Sequence, residues 1–188
     1  MKQKLESILK KGKMIALASL IFLTIGCASS KFYIEPKIGL IIPVSAKEQT
    51  YNPLFMIGAA CGFSGKTIGL ESGLDYFNSS AKYIETKSIL SRLNLSYSPL
   101  KETAKVKPYL TGGVNFLNES STIDIPEFNV YDKITNKTIG LEFGMGITII
   151  NRINSRITYT IMPESENVNG MVTLTGGYRF LFGGKNKK

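Results

Sequence analysis

The sequence predicts an all-β fold, an eight-stranded antiparallel up-and-down transmembrane β-barrel preceded by a signal peptide. Three observations predict it. Apolar and polar residues alternate with a two-residue period in eight successive stretches. The face opposite the apolar one is rich in Gly, Thr, Ser and Asn, with only occasional charges. The first 30 residues read as an export signal. The chain therefore divides into a signal peptide (1–28), a barrel domain (31–183) and a basic tail (184–188).

The leader comes first. Met1 to Lys13 holds five lysines and one glutamate, and an uncharged run of 12 residues, MIALASLIFLTI, follows before GCASS. A basic start, a short apolar run and small residues at its end describe a secretory signal. The run is too short for a transmembrane helix, which needs about 20 residues. LTIGC resembles a lipoprotein signal in which Cys27 becomes the lipidated first residue, and Gly26 and Ala28 offer an ordinary cleavage site instead.

The strands follow in order. FYIEPKIGLIIPV (32–44) sets Phe32, Ile34, Pro36, Ile38, Leu40, Ile42 and Val44 against Tyr33, Glu35, Lys37 and Gly39. Residues 54–63 oppose Phe55, Ile57, Ala59, Cys61 and Phe63 to Gly58, Ala60 and Gly62. TIGLESGLDY (67–76) opposes Ile68, Leu70, Leu74 and Tyr76 to Gly69, Glu71, Gly73 and Asp75. Residues 83–97 are noisier, with Ile89, Leu93, Leu95 and Tyr97 facing away from Arg92, Asn94 and Ser96.

The second half repeats the pattern. VKPYLTGGVNF (106–116) opposes Val106, Leu110, Val114 and Phe116 to Lys107, Tyr109, Thr111, Gly113 and Asn115. IGLEFGMGITII (139–150) opposes Ile139, Leu141, Phe143, Met145, Ile147 and Ile149 to Gly140, Glu142, Gly144, Gly146 and Thr148. Residues 153–161 set Ile153, Ile157, Tyr159 and Ile161 against Asn154, Arg156, Thr158 and Thr160. MVTLTGGYRFLF (171–182) sets Val172, Leu174, Tyr178, Phe180 and Phe182 against Thr173, Thr175, Gly177 and Arg179.

The connections are read as 45–53, 64–66, 78–82, 98–105, 117–138, 151–152 and 162–170. Odd-numbered connections tend to be longer and even-numbered ones tighter, with 98–105 the exception. That suits a meander with one ragged end and one trim end. The longest connection, 117–138, can extend its flanking strands beyond the body of the fold.

Which solvent each face sees decides the architecture. A soluble barrel puts apolar residues inside and charges outside, and a membrane barrel inverts this. Eight strands leave an interior that side chains just fill, and seven glycines (39, 69, 73, 113, 144, 146, 177) lie on the polar face. The strand lengths also suit tilted membrane strands of about 9–11 residues. The inverted reading follows, with lipid outside and a polar lumen.

On these residues the stretch 32–182 resembles the small outer-membrane β-barrels of Gram-negative bacteria, the OmpA-like and OmpX-like porin-family domain. KPYLTGGVNF, LEFGMGI and above all GGYRFLF carry the resemblance. It implies that Tyr178, Phe180 and Phe182 form a C-terminal assembly signal read by the barrel-assembly machinery. The chain continues past Phe182 with GGKNKK.

The formal charge of +9 falls to +5 without residues 1–30, and Lys185, Lys187 and Lys188 supply three of those five. The basic pI is thus no argument for nucleic-acid binding. The chain has no histidine, which removes Ser-His-Asp hydrolysis and the commonest metal ligand. No enzyme, cofactor or metal is expected. The glycine-rich GMGITI and TGG lie inside strands and lack the context of a phosphate loop.

The candidate site is a lumenal charge network. Glu35, Glu71, Asp75 and Glu142 share the interior with Lys37, Lys107, Arg92, Arg156 and Arg179. Near-cancelling charges are what burial requires, and pairing across the lumen would block it to solutes. Tyr33, Tyr51, Tyr76, Tyr83, Tyr97 and Tyr159, with Phe32 and Phe63, are candidates for interfacial girdles. The acidic segment 118–137 is the candidate surface for an extracellular partner. The expectation is a monomeric outer-membrane protein with outer-membrane lipid as its surroundings and a structural or surface-interaction role. It has two alternatives, a narrow small-solute channel and a lipid-anchored, soluble lipocalin-like ligand-binding barrel.

Overall fold

The computed structural model describes residues 31–44, 52–81, 83–100, 104–126, 130–163 and 170–182. Residues 1–28, read above as a signal peptide and including Cys27, and the tail 184–188 lie outside the described residues, as does Tyr51. The strands are β1 (Lys31–Val44), β2 (Leu54–Ser64), β3 (Ile68–Ala81), β4 (Ile84–Tyr97), β5 (Val106–Ile125), β6 (Val130–Ile149), β7 (Ile153–Ile161), β8 (Gly170–Tyr178) and β9 (Phe180–Phe182). Each strand from β1 to β8 pairs antiparallel with the next, and β8 and β9 both return to β1. The register against β1 is the same on either side of Arg179, from Lys37 opposite Gly177 to Ile34 opposite Phe180. Thus β9 continues β8, and the sheet closes as an eight-stranded barrel.

The two faces sort as the alternation requires. Leu74 and Leu110 on the outside are each 59% exposed, whereas Glu35 and Glu142 inside are 0% exposed. Along β6, Ile139, Leu141, Phe143, Met145 and Ile147 all point outward. A soluble ligand-binding barrel needs the reverse arrangement, so that alternative does not describe this chain.

Three boundaries differ from the sequence reading. β3 runs on to Ala81, and most of the stretch assigned to connection 117–138 is strand, with β5 reaching Ile125 and β6 starting at Val130. The ladder holds to the tip, where Ile125 faces Val130. β2 leaves β3 at the Met56–Phe77 pair, and β7 leaves β6 at the Leu141–Ile161 pair. The upper parts of β3 to β6 therefore project beyond the rest of the wall. The third difference is the interruption of the last strand at Arg179.

The opposite end is trim. Arg152 N donates to Ile149 O at 3.0 Å, closing a turn whose central residues Ile150 and Asn151 have φ of 51° and 59°. Positive φ at both central positions marks the type I′ hairpin turn, which favours Asn-Gly. Asn151 tolerates it, whereas a β-branched side chain does not. Left-handed backbone costs about 1–2 kcal/mol for an ordinary residue. Ile150→Asn is therefore expected to raise stability by about 1 kcal/mol, read as a higher urea midpoint for unfolding in detergent micelles.

Candidate functional site

The narrow lumen is built in layers. At the trim end, β1 aims Tyr33 and Glu35 inward, and β8–β9 supply Arg179 at their junction. Arg179 Nε donates to Glu35 Oε2 at 2.6 Å and its Nη1 to Thr148 Oγ1 at 3.2 Å. The guanidinium lies over the Tyr33 ring at 4.4 Å and near the Tyr109 ring at 5.9 Å, a cation–π clamp. Asn154 Nδ2 donates to Glu35 Oε1 at 2.8 Å, and Tyr109 OH donates to Asn154 Oδ1 at 2.7 Å. Gly146 makes room for Tyr109, because a Cβ there would lie 2.5 Å from the phenol ring.

Glu71 comes next along the axis. Arg156 Nη1 donates to its Oε1 at 2.7 Å and Tyr33 OH to its Oε2 at 2.9 Å, with Arg179 Nη2 at 3.9 Å. At mid-lumen Asp75 takes Lys37 Nζ at 3.0 Å and Arg92 Nε at 2.6 Å. Arg92 Nη1 reaches Glu142 Oε2 at 2.8 Å, and Asn94 and Asn115 donate to the same carboxylate at 2.7 and 3.0 Å. Gly73 lets Lys37 approach, since a Cβ there would sit 3.2 Å from Nζ.

Eight of the nine charged residues singled out in the sequence thus join carboxylate–cation contacts. Lys107 lies at the trim mouth, where its Nζ donates to the carbonyls of Gly65 and Lys66 at 3.4 and 3.1 Å. Glu35, Glu71 and Glu142 each accept at least two hydrogen bonds, and Asp75 is held between the two cations of Lys37 and Arg92. A buried charge without such partners would be strongly destabilising.

Above the ions lies a layer that the sequence reading missed. Ile41, Met56, Phe77, Leu90, Leu117, Met162 and Met171 form a buried apolar cluster inside the barrel. Arg92 Nη2 meets Met56 Sδ at 3.8 Å, which marks the border between the two layers. A signal for it existed: Ile41, Met56, Leu90 and Phe77 each adjoin an outward apolar residue, breaking the alternation at the same end of four strands.

The aromatic expectations divide. Phe32, Phe63, Tyr76, Tyr97 and Tyr159 lie on the outer surface, and Tyr83 sits at the β3–β4 turn. Tyr33 is a correction: it is 4% exposed and points into the lumen, because odd positions of β1 face inward. Tyr178, Phe180 and Phe182 face outward near the trim end. Tyr178 and Phe180 meet edge-on at 5.0 Å, and Phe182 lies 6.0 Å from Phe32. Of the candidate partner segment, residues 118–125 and 130–137 belong to the projecting β5–β6 hairpin, with Tyr131 72% exposed.

A closed eight-stranded antiparallel barrel with an apolar exterior and an ionic lumen is the fold of the small outer-membrane β-barrels. Solved structures with that fold resemble this chain at low identity. Neisserial surface protein A matches with a TM-score of 0.57 and 16% identity, over 80% of this chain and 97% of its own. A major outer membrane protein of Thermus thermophilus gives 0.58 and 13%, over 81% and 99%. The N-terminal barrel domain of Pseudomonas aeruginosa OprF gives 0.54 and 14%, over 80% and 97%. No protein-family model and no curated protein sequence matches the chain.

The contacts of Asp75 define a stability test. Asp75→Asn leaves Lys37 and Arg92 without their shared counter-charge, so the barrel is expected to lose about 3–5 kcal/mol. The loss is read from urea-induced unfolding followed by the mobility shift of folded barrel on unheated gels.

Proposed function

We propose that the protein is an outer-membrane β-barrel with a structural or surface-interaction role, neither conducting ions nor catalysing a reaction. The filling of the lumen carries this reading. Side chains from all eight strands meet on the axis, the charged layer is internally paired, and an apolar layer lies across the ragged end. An ion crossing that layer would lose its hydration without gaining ligands. The chain also lacks the histidine that general acid–base chemistry most often uses.

Its orientation follows the rule for such barrels, with tight turns toward the periplasm and longer hairpins outside. The projecting strands β3 to β6 then stand above the membrane and offer the surface for an extracellular partner. Near the tip of the β5–β6 hairpin, where Ile125 faces Val130, Tyr131, Asp132 and Lys133 are all exposed. Export through the signal at 1–28, recognition of Tyr178, Phe180 and Phe182 by the assembly machinery, lipidation at Cys27 and a monomeric state belong to the same proposal. The mass of the mature N-terminal peptide tests the cleavage and lipidation.

Two measurements test the rest. Purified barrel in planar lipid bilayers is expected to give no stable ohmic steps, and large, steady channels would point to the small-solute pore instead. In intact cells, protease is expected to cut only within the β5–β6 hairpin and the other outward connections. Cleavage only after the outer membrane is permeabilised would reverse the orientation.

A further inference from the structure

We infer that the outer wall beside the β6–β7 turn binds one anionic phospholipid, its headgroup phosphate on Lys105 and Arg152 and an acyl chain in a groove above them. The inference rests on the outer-membrane reading with the trim end toward the periplasm, where the leaflet is phospholipid. An open groove of about 870 Å³ lies on this lipid-facing wall, with Pro108, Ile147, Ser155 and Gly176 along it and Ile157 and Leu174 above. The first four form one register row, each paired with the next from β5 to β8, and Gly176 pairs in turn with Ile38 of β1. Pro108 is two residues from the start of β5, whereas Ile38 is seven from the start of β1, because the strands of a barrel are tilted and staggered. The groove therefore climbs from the trim rim into the wall, the course of an acyl chain leaving its headgroup. Gly176 keeps it open: a Cβ there would meet nothing within 4 Å, so no neighbouring atom requires glycine at that position.

The foot of the groove is cationic. Ile150 N donates to Lys105 O at 2.7 Å and Arg152 N to Ile149 O at 3.0 Å, so Lys105 and Arg152 flank the same turn. Both are exposed, as is Ile150 between them. Arg152 Nη1 donates to Tyr178 OH at 2.9 Å, which holds the guanidinium on the outer wall beside the strand that carries Gly176. Neither cation pairs with a carboxylate among the described residues. The exposed acids among those residues, Glu85, Asp124 and Asp132, all stand at the ragged end. A guanidinium presents a planar fork that matches a phosphate, and a lysine beside it adds a point charge. Such cations at a membrane surface draw anionic headgroups. A second copy seated on this face would instead bring like cations together.

Native mass spectrometry of the full barrel, released from micelles containing phosphatidylglycerol or phosphatidylcholine, tests this. One retained lipid is expected, with phosphatidylglycerol held roughly 25-fold more tightly, a factor of about five for each cation. Lys105→Gln combined with Arg152→Gln is expected to bring phosphatidylglycerol down to the level of phosphatidylcholine. Gly176→Leu, which fills the groove, is expected to weaken retention of both lipids while the barrel stays folded, because its side chain enters open space. Soluble glycerol phosphate, which has the charge without the chain, is expected to leave no adduct. Equal retention of the two lipids, an unchanged preference in the double variant, or unchanged retention in Gly176→Leu overturns the inference. So does an adduct of glycerol phosphate, and so does a dimer that excludes lipid, which would give this face to a second copy. Should the double variant fail to fold, Lys105→Gln alone decides, with a loss of roughly fivefold expected. The measurement is made without a membrane, so its failure is distinct from a failure of the orientation, which protease on intact cells reads.

Discussion

Hydrocarbon offers no hydrogen bonds, and this fold answers that constraint first. A strand in lipid with an unpaired edge would strand a row of backbone donors and acceptors, each at a cost of several kcal/mol. Eight antiparallel strands avoid it only by closing, which the pairing of β1 with β2 on one side and with β8–β9 on the other accomplishes. Closure then dictates the rest. The convex face must be apolar at every second residue, and the concave face must be filled from within by a few large side chains.

The lumen reconciles two opposed demands. Ions there are shielded from water, so each must be partnered, yet the axis is too narrow to hold many long side chains. The chain alternates glycine and small hydroxyl residues with the charged ones, so that Lys37 passes over Gly73 and Tyr109 over Gly146. Carboxylates from β1, β3 and β6 meet cations from β1, β4, β7 and the β8–β9 junction. Most of these contacts link strands that are not neighbours in the wall, so the network ties the barrel across its axis. The apolar layer above adds a second, chemically different fill.

Much of this is legible in the sequence. A period of two survives wherever one face meets lipid and the other meets the lumen, which is why β7 can be read from Ile153 to Ile161 and the charged residues assigned inward. The signal fades where that contrast ends. Residues 118–125 and 130–137 continue as strands into water, where both faces are solvated and neither needs to be apolar, so NESSTIDI reads as a loop. Which carboxylate meets which base is not legible, because that depends on the stagger of strands around the barrel. On sequence alone, Arg156 matches Glu142 as readily as Glu71. The inward apolar layer is present as doubled apolar residues in LII (40–42) and FMI (55–57), a break in period whose meaning appears only when four strands share one level.

The inside–outside assignment is tested most directly by contacts between side-chain methyl groups and lipid. In methyl-labelled protein embedded in lipid nanodiscs, cross-peaks to acyl-chain protons are expected from Ile139, Leu141 and Ile147. None is expected from Ile41, Leu90 and Leu117, which are equally apolar but enclosed. Acyl contacts from the second set, or their absence from the first, would contradict the account.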